Sequence, residues 1–245
     1  MLTTTQGLVL HTTKYGETSV IAKVFTRELG LCSYIIKGVR STSGRTKQNL
    51  LQPMCHLDMT VYNNPKKNLQ YVKEMHPASH YGFSGDSVKT ALLFFMDEVL
   101  YKSLKEGEQN LPLFDYVVGE LQSLSAEDGA LASFPISFLV RAARHLGIEP
   151  MDNYSHHEPL FNLKEGKFLP TPSAREAMSK QTASDSDYYL DAPSSLHFHS
   201  CLSSSAKLTA RQRSITLNNL LEYYHIHFSD FKNFKSHEVL HAVLR

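Results

Sequence analysis

Hydrophobic positions recur with period 2 through roughly the first 75 residues and with a period near 3.6 after about residue 86. In the first stretch, Val20, Ala22 and Val24 alternate within the β-branched run Ser19–Phe25. Leu57, Met59 and Val61 alternate within Met54–Tyr62. Leu8-Val9-Leu10 is a shorter apolar run, and Leu31–Lys37 follows the punctuating Gly30. Leu69-Gln70-Tyr71-Val72 opens a fifth strand with Leu69 and Tyr71 on one face, a pattern that turns Tyr71 inward. Residues 38–49 are polar, basic and glycine-containing, which predicts a loop, and Asn63-Asn64-Pro65 predicts a turn.

Beyond residue 86 the stripes are helical. Val88, Leu92, Phe95, Met96 and Val99 share one face, and Leu113, Tyr116, Val117, Leu121 and Leu124 share another, opened by Pro112. Residues 134–147 are apolar around much of the circumference, which predicts a central buried helix, with Gly147 as its C′ residue and Pro150 as a stop. Leu160–Leu163 and Phe168-Leu169 flank Lys164-Glu165-Gly166-Lys167, a hairpin pattern. The polar residues 179–187 read as a loop, and a short segment follows near Ser194–Leu202. Leu217, Leu220, Leu221, Tyr224 and Phe228 mark a long helix, and residues 237–244 a last one with Ser236 as N-cap. The fold class predicted is α+β: a small N-terminal β-barrel over 1–80, then a helical domain over 81–245 with an insert at about 148–190. Five short strands suit an OB-fold or an SH3-like barrel, and closure removes free sheet edges.

A chain of 245 residues allows one or two domains, and 42% apolar against 20% charged residues excludes global disorder and fibrous classes. No apolar run reaches the ~20 residues of a membrane helix, and the first residues lack a signal-peptide pattern. Cys32, Cys55 and Cys201 fit no disulfide framework, so the expected compartment is the reducing cytoplasm. Charge is uneven. Residues 1–76 hold ten Lys/Arg against four Asp/Glu, a balance of +6, while the remainder carries −5. The basic half is suited to a polyanion.

The order of motifs resembles a known family. Gly7-Leu8-Val9-Leu10-His11-Thr12-Thr13-Lys14-Tyr15-Gly16-Glu17-Thr18-Ser19 is similar to the opening of the RecO family of bacterial recombination mediators. Phe25–Leu31, Lys37-Gly38-Val39-Arg40 and Leu51-Gln52-Pro53-Met54 continue the likeness, and Arg211–Tyr224 and Lys235–Leu240 resemble its last helices. The resemblance implies an N-terminal OB-fold, a helical C-terminal domain and no catalytic activity. It implies binding to single- and double-stranded DNA and annealing of complementary strands. It also implies action with RecR, in some lineages with RecF, on DNA coated by the single-stranded-DNA-binding protein SSB, so that RecA is loaded. A nucleoid-associated cytoplasmic protein is expected. Many members carry a four-cysteine zinc site in the helical domain, but residues 148–190 contain no cysteine, so no cofactor is expected here.

The residues themselves supply candidates for each role. Lys37, Arg40, Arg45 and Lys47 form an acid-free basic stretch, and Lys66 and Lys67 sit on a separate turn; a solvated loop would have the same composition. With Lys14, Lys23 and Arg27 they make the candidate DNA-binding set, to which Tyr15, in a polar turn, adds the best stacking aromatic. Tyr34, Tyr62 and Tyr71 fit a barrel interior better. Phe138, Arg141, Arg144 and His145 offer apolar and basic groups together, and the resemblance suggests this helix for the acidic, apolar-ended tail of SSB, with Arg141 on its carboxylate. Two competing classes are a generic OB-fold nucleic-acid module and a histidine-metal hydrolase. The latter would draw on His156-His157, His197-Phe198-His199 and His225-Ile226-His227, where an extended 197–199 puts two imidazoles on one face. No nucleotide-binding or hydrolase motif is present.

Overall fold

A computed structural model describes residues 1–40, 44–64, 66–83, 85–129, 131–171, 188–202 and 207–243. The expected loop at 179–187 lies outside the described residues. The chain forms two compact units: Met1–Gly129 with Phe234–Val243, and Ala130–Asn233. The change from strands to helices near residue 80 falls inside the first unit.

Strands β1 (Leu2–Tyr15), β2 (Ser19–Thr26), β3 (Gly30–Ile36), β4 (His56–Tyr62) and β5 (Leu69–Pro77) close into a barrel of order β1-β2-β3-β5-β4. All neighbours are antiparallel except β3 and β5, which run parallel. This is the OB-fold arrangement. β1 is far longer than its apolar run Leu8–Leu10. It closes the barrel by pairing β4 through Leu2–Leu8 and β2 through Gly7–Tyr15. A bulge between Val9 and His11 bends it between the two partners. The threonines flanking the run are β-branched and extend the strand without adding to the core. Val9, Val20, Ala22, Val24, Tyr34, Ile36, Leu57, Met59 and Val61 fill the interior, in the period-2 pattern expected. The basic segment 38–49 is not loop throughout: Arg45–Asn49 forms a short helix, α1.

Helices α2 (Ser87–Ser103) and α3 (Leu111–Ala126) follow in the same unit. Asp86 caps α2 by accepting from the Lys89 amide at 3.0 Å, and Asn110 caps α3 through the Leu113 amide at 3.0 Å. The second unit is built on α4 (Phe134–His145), whose Phe138, Leu139, Ala142 and Ala143 are fully buried, and which ends at Gly147 with φ +74°. The hairpin β6 (Leu160–Asn162) and β7 (Lys167–Leu169) packs Phe161 against Phe198 and Tyr223, with Phe168 edge-on to Phe161. The hairpin lies in the insert, about 148–190, where the resemblance would put a four-cysteine zinc site. With no thiolate in the segment, the donor set does not fit that metal. Helix α5 (Ala192–Leu202) replaces the extended segment considered for 197–199, so its two histidines do not share a strand face. Helix α6 (Ala210–His227) begins with a capping box between Thr209 and Gln212. Its Tyr224 hydroxyl donates to the Leu139 carbonyl at 2.7 Å.

The last helix, α7 (Ser236–Val243), packs on α2 in the first unit. Ser236 is not its side-chain cap. The amides of Lys235 and Ser236 donate to the Glu98 carboxylate of α2 at 2.7–3.0 Å, and the Ser236 hydroxyl makes no hydrogen bond. An anion supplied from α2 thus does what the serine was expected to do.

Candidate nucleic-acid interface

The barrel register sorts the basic residues by position. Val20 pairs with Lys14 on one side and Ile36 on the other, so the β1–β2 turn and the exit of β3 lie at one end. Lys14, Tyr15, Lys37 and Arg40 are all exposed there. Gly16 turns the hairpin with φ +62°. Arg40 ties its chain to that hairpin, its amide donating to the Thr18 carbonyl at 3.0 Å and its guanidinium to the Gly16 carbonyl at 3.3 Å. Lys47 of α1 reaches the Lys37 carbonyl at 3.3 Å, which brings the short helix over the same end.

Beside this end lies a cleft of about 830 Å³, walled by Ile35, Lys37, Lys47, Tyr62, Tyr71 and Lys73 among others. Tyr62 and Tyr71 are register partners on β4 and β5, 47% and 41% exposed. Lys37 stands over the Tyr71 ring, its ammonium 5.6 Å from the centroid. The cleft therefore joins cations at its rim to two open aromatic faces, the combination that single-stranded nucleic acid uses.

Tyr71 is a correction to the expected inward placement. The residue turned inward is Gln70, 8% exposed, whose side chain accepts from the Asn64 amide at 2.9 Å and donates to the Asn64 carbonyl at 2.8 Å. Holding the 63–68 turn requires this buried amide, so the tyrosine beside it faces out. Tyr62 is likewise outside, while Tyr34 is fully buried as expected. Lys73 was missed as a site residue; it lines the cleft together with Glu74, to which its ammonium pairs at 3.6 Å. The signal was present, since Leu69, Tyr71 and Lys73 continue one face at period 2. Lys66 and Lys67 are exposed on the turn, where the amides of both bond to Asn64. The Arg45 backbone is placed in α1, and its side chain lies outside the described residues.

Two of the expected cations are engaged elsewhere. Arg27 follows Thr26, which pairs with Gly7 and Gly30, so it stands at the far end of β2, about 20 Å from Val20 at ~3.3 Å per residue. Its guanidinium grips Asp115 of α3 through two bonds, at 2.8 and 3.1 Å. The hydrogen bonds and charge of this pair hold the Asp115 carboxyl below its usual range and raise the arginine. Lys23 pairs with Glu106 at 3.1 Å.

In the second unit, Phe138 is fully buried in α4 and has no surface to offer a peptide, which corrects its expected role. Arg144 is exposed and pairs with Glu149 at 3.7 Å, and His145 is half-buried. Arg141 edges a small pocket of about 140 Å³ with Ser133, Ile136, Ser137, Val140, Cys201 and Leu208. Burial pushes the Cys201 thiol up to about 11, so it is a neutral wall of that pocket.

The histidines do not converge. His197 bonds Gln212 at 2.9 Å, His199 pairs with Asp152 at 3.1 Å and stacks on Tyr154, and His227 reaches the Leu163 carbonyl at 3.0 Å. Among the described residues no three His, Cys, Asp or Glu are grouped to hold a metal. Nor is any helix among them long and apolar enough to cross a membrane.

Two family models match the chain. Recombination protein O N terminal covers residues 1–81, and Recombination protein O C terminal covers 84–157. The chain is 30% identical over 251 residues to the DNA repair protein RecO of Christiangramia forsetii, covering 99% of both chains. The chain belongs to the RecO family. The RecO proteins of Phocaeicola vulgatus (30% over 243 residues) and Porphyromonas gingivalis (28% over 245) each match across 98% of both chains. The family is one of DNA repair proteins, and its N-terminal model coincides with the barrel and its groove.

Proposed function

We propose that this RecO-family chain is a non-enzymatic recombination mediator that holds single-stranded DNA in the barrel groove. The observation that carries the reading is the exposed Tyr62–Tyr71 pair, with Lys37 over the Tyr71 ring and Lys47 and Lys73 on the same walls. Stacking on two tyrosines is indifferent to base identity, and the lysines contact phosphates, so binding is sequence-independent and salt-sensitive. The further cations Lys14, Arg40, Lys66 and Lys67 extend the positive field beyond the groove, where a second strand or a duplex can be screened. Screening two like-charged strands is sufficient for annealing and needs no catalytic group.

The pocket edged by Arg141 supports a docking role for the second unit. Ile136, Val140 and Leu208 give an apolar seat beside a guanidinium, which suits the apolar, carboxylate-ended tail of SSB. The proposed seat for the tail is Arg141 with this pocket. The proposed role extends to cooperation with RecR, and with RecF in some settings, in delivering RecA to SSB-coated strands.

The test is a fluorescence-anisotropy titration of a labelled oligothymidylate across a salt series, with an SSB-tail peptide as a parallel ligand. Salt-sensitive DNA binding and saturable tail binding that Arg141→Ala abolishes are expected. DNA binding without tail binding would reduce the chain to a generic OB-fold module, and neither would overturn the mediator reading.

A further inference from the structure

The connection from α2 to α3, Leu104-Lys105-Glu106-Gly107-Glu108-Gln109-Asn110, is laid against the outside of the barrel. Its backbone joins the sheet edge: Glu106 pairs with Leu31 in a parallel bridge, and the Gly107 amide donates to the Leu31 carbonyl at 2.8 Å. The approach is so close that only glycine fits at position 30. Its φ is +70°, and a Cβ there would lie 2.2 Å from the Glu108 carbonyl oxygen. From this seat the Glu106 carboxylate meets the Lys23 ammonium at 3.1 Å and accepts the Ser33 hydroxyl at 2.9 Å. Lys23 also lies 5.5 Å from the Tyr101 ring centroid, and that ring packs 5.2 Å from His11.

His11, Lys23 and Ser33 form one row across β1, β2 and β3, since His11 and Ser33 are both register partners of Lys23. Two residues beyond Ser33 along β3 stands Ile35, a wall of the groove and the register partner of Tyr71. The row thus stands two residues along β3 from a wall of the groove. In an OB-fold, the β2–β3 face is where oligonucleotides lie. Here a carboxylate occupies it, held by one cation and one hydroxyl, as a phosphate oxygen would be.

We infer that Lys23 is a masked phosphate contact of the nucleic-acid face, and that Glu106 is the internal anion that masks it. The inference rests on the groove being the DNA site. The two side chains are 34% and 48% exposed, so their pairing is weak and exchangeable with a phosphate. Entry of a strand into the groove brings a phosphate to Lys23 in competition with Glu106. The 104–110 strap thereby sets a threshold on affinity, selecting strands that fill the groove over those that only touch its rim.

The experiment is the oligothymidylate titration over a salt series with the full chain, E106Q, E108Q, K23A and the E106Q/K23A double variant. E106Q is expected to bind roughly three- to tenfold tighter, with a salt slope steeper by about 0.7, one added phosphate contact. E108Q removes the same charge from the same strap without touching Lys23 and is expected to stay within about twofold. K23A is expected to cost little in the wild-type background and to cancel the E106Q gain in the double variant. The inference is overturned if E106Q binds no tighter than wild type, if E108Q gains equally, or if the gain survives K23A. A wild-type chain without salt-sensitive binding would instead overturn the DNA reading of the groove itself.

Discussion

The cations of the barrel stand in two opposite electrostatic settings, exposed at one end and answered by carboxylates along β2 and at the other. At the end formed by the β1–β2 turn and the exit of β3, Lys14, Lys37, Arg40 and Lys47 are exposed, close to a cleft with two exposed tyrosines. At the other end Arg27 is clamped by Asp115, and midway along β2 Lys23 is held by Glu106. Both carboxylates come from the helical part of the chain, tens of residues away. A positive balance over 76 residues is therefore not a positive surface over 76 residues. What distinguishes a binding cation from a structural one is whether a later segment brings it an anion.

The strongest way to break this comparison is to remove the open cations. K14A/K37A/K47A is expected to weaken oligothymidylate binding by roughly a hundredfold at low salt and to flatten the log–log slope by about 2, at ~0.7 per lost contact. Anisotropy over a salt series measures both. Next in size is the aromatic pair. Y62A/Y71A is expected to lose about thirtyfold in affinity, since base stacking contributes ~1–3 kcal/mol per base and two rings are removed, while leaving the salt slope unchanged.

A third variant sharpens the contrast at its buried extreme, in a carboxyl that no cation among the described residues answers. Asp97 on α2 has one carboxylate oxygen buried without a hydrogen bond, and burial, with repulsion from Glu98 second, pushes its carboxyl up to about 8. The folded chain binds a proton there that the unfolded chain releases near pH 4, so this group's contribution to stability falls as pH rises from about 4 to about 8. D97N is expected to raise Tm by a few degrees at pH 8 and by progressively less toward pH 5, as read by thermal unfolding at each pH. The smallest effect is expected at the far end of the barrel. R27A removes a full positive charge, yet is expected to leave DNA affinity within about twofold, because that charge is already neutralised by Asp115.

Much of this architecture was legible in the residue pattern. Alternation at Val20, Ala22 and Val24 and at Leu57, Met59 and Val61 located β2 and β4, and the stripe through Leu92, Phe95, Met96 and Val99 located α2. These positions face cores, where periodicity is imposed by burial. The site was legible only in part. Lys37, Arg40 and Lys47 were found because charge density is a local property. Tyr71 was assigned to the wrong side because an apolar ring normally wins the inward position over a glutamine. Here the buried Gln70 amide is needed to satisfy the Asn64 backbone. The partners of Lys23 and Arg27 were invisible for a different reason: Glu106 and Asp115 lie 83 and 88 residues further along the chain, beyond any local window. Phe138 was misassigned because a helix apolar on most sides gives no local sign of which positions remain at the surface.

The central claim is that the strand lies on the Tyr62–Tyr71 face. Ultraviolet cross-linking of a 5-bromodeoxyuridine-substituted single strand to the full chain, followed by mass-spectrometric mapping of the attached peptides, tests it most directly. Cross-links are expected at Tyr62 and Tyr71, lost when excess unlabelled strand is added. Cross-links confined to the Arg27 end of the barrel, or to residues 130–233, would contradict it.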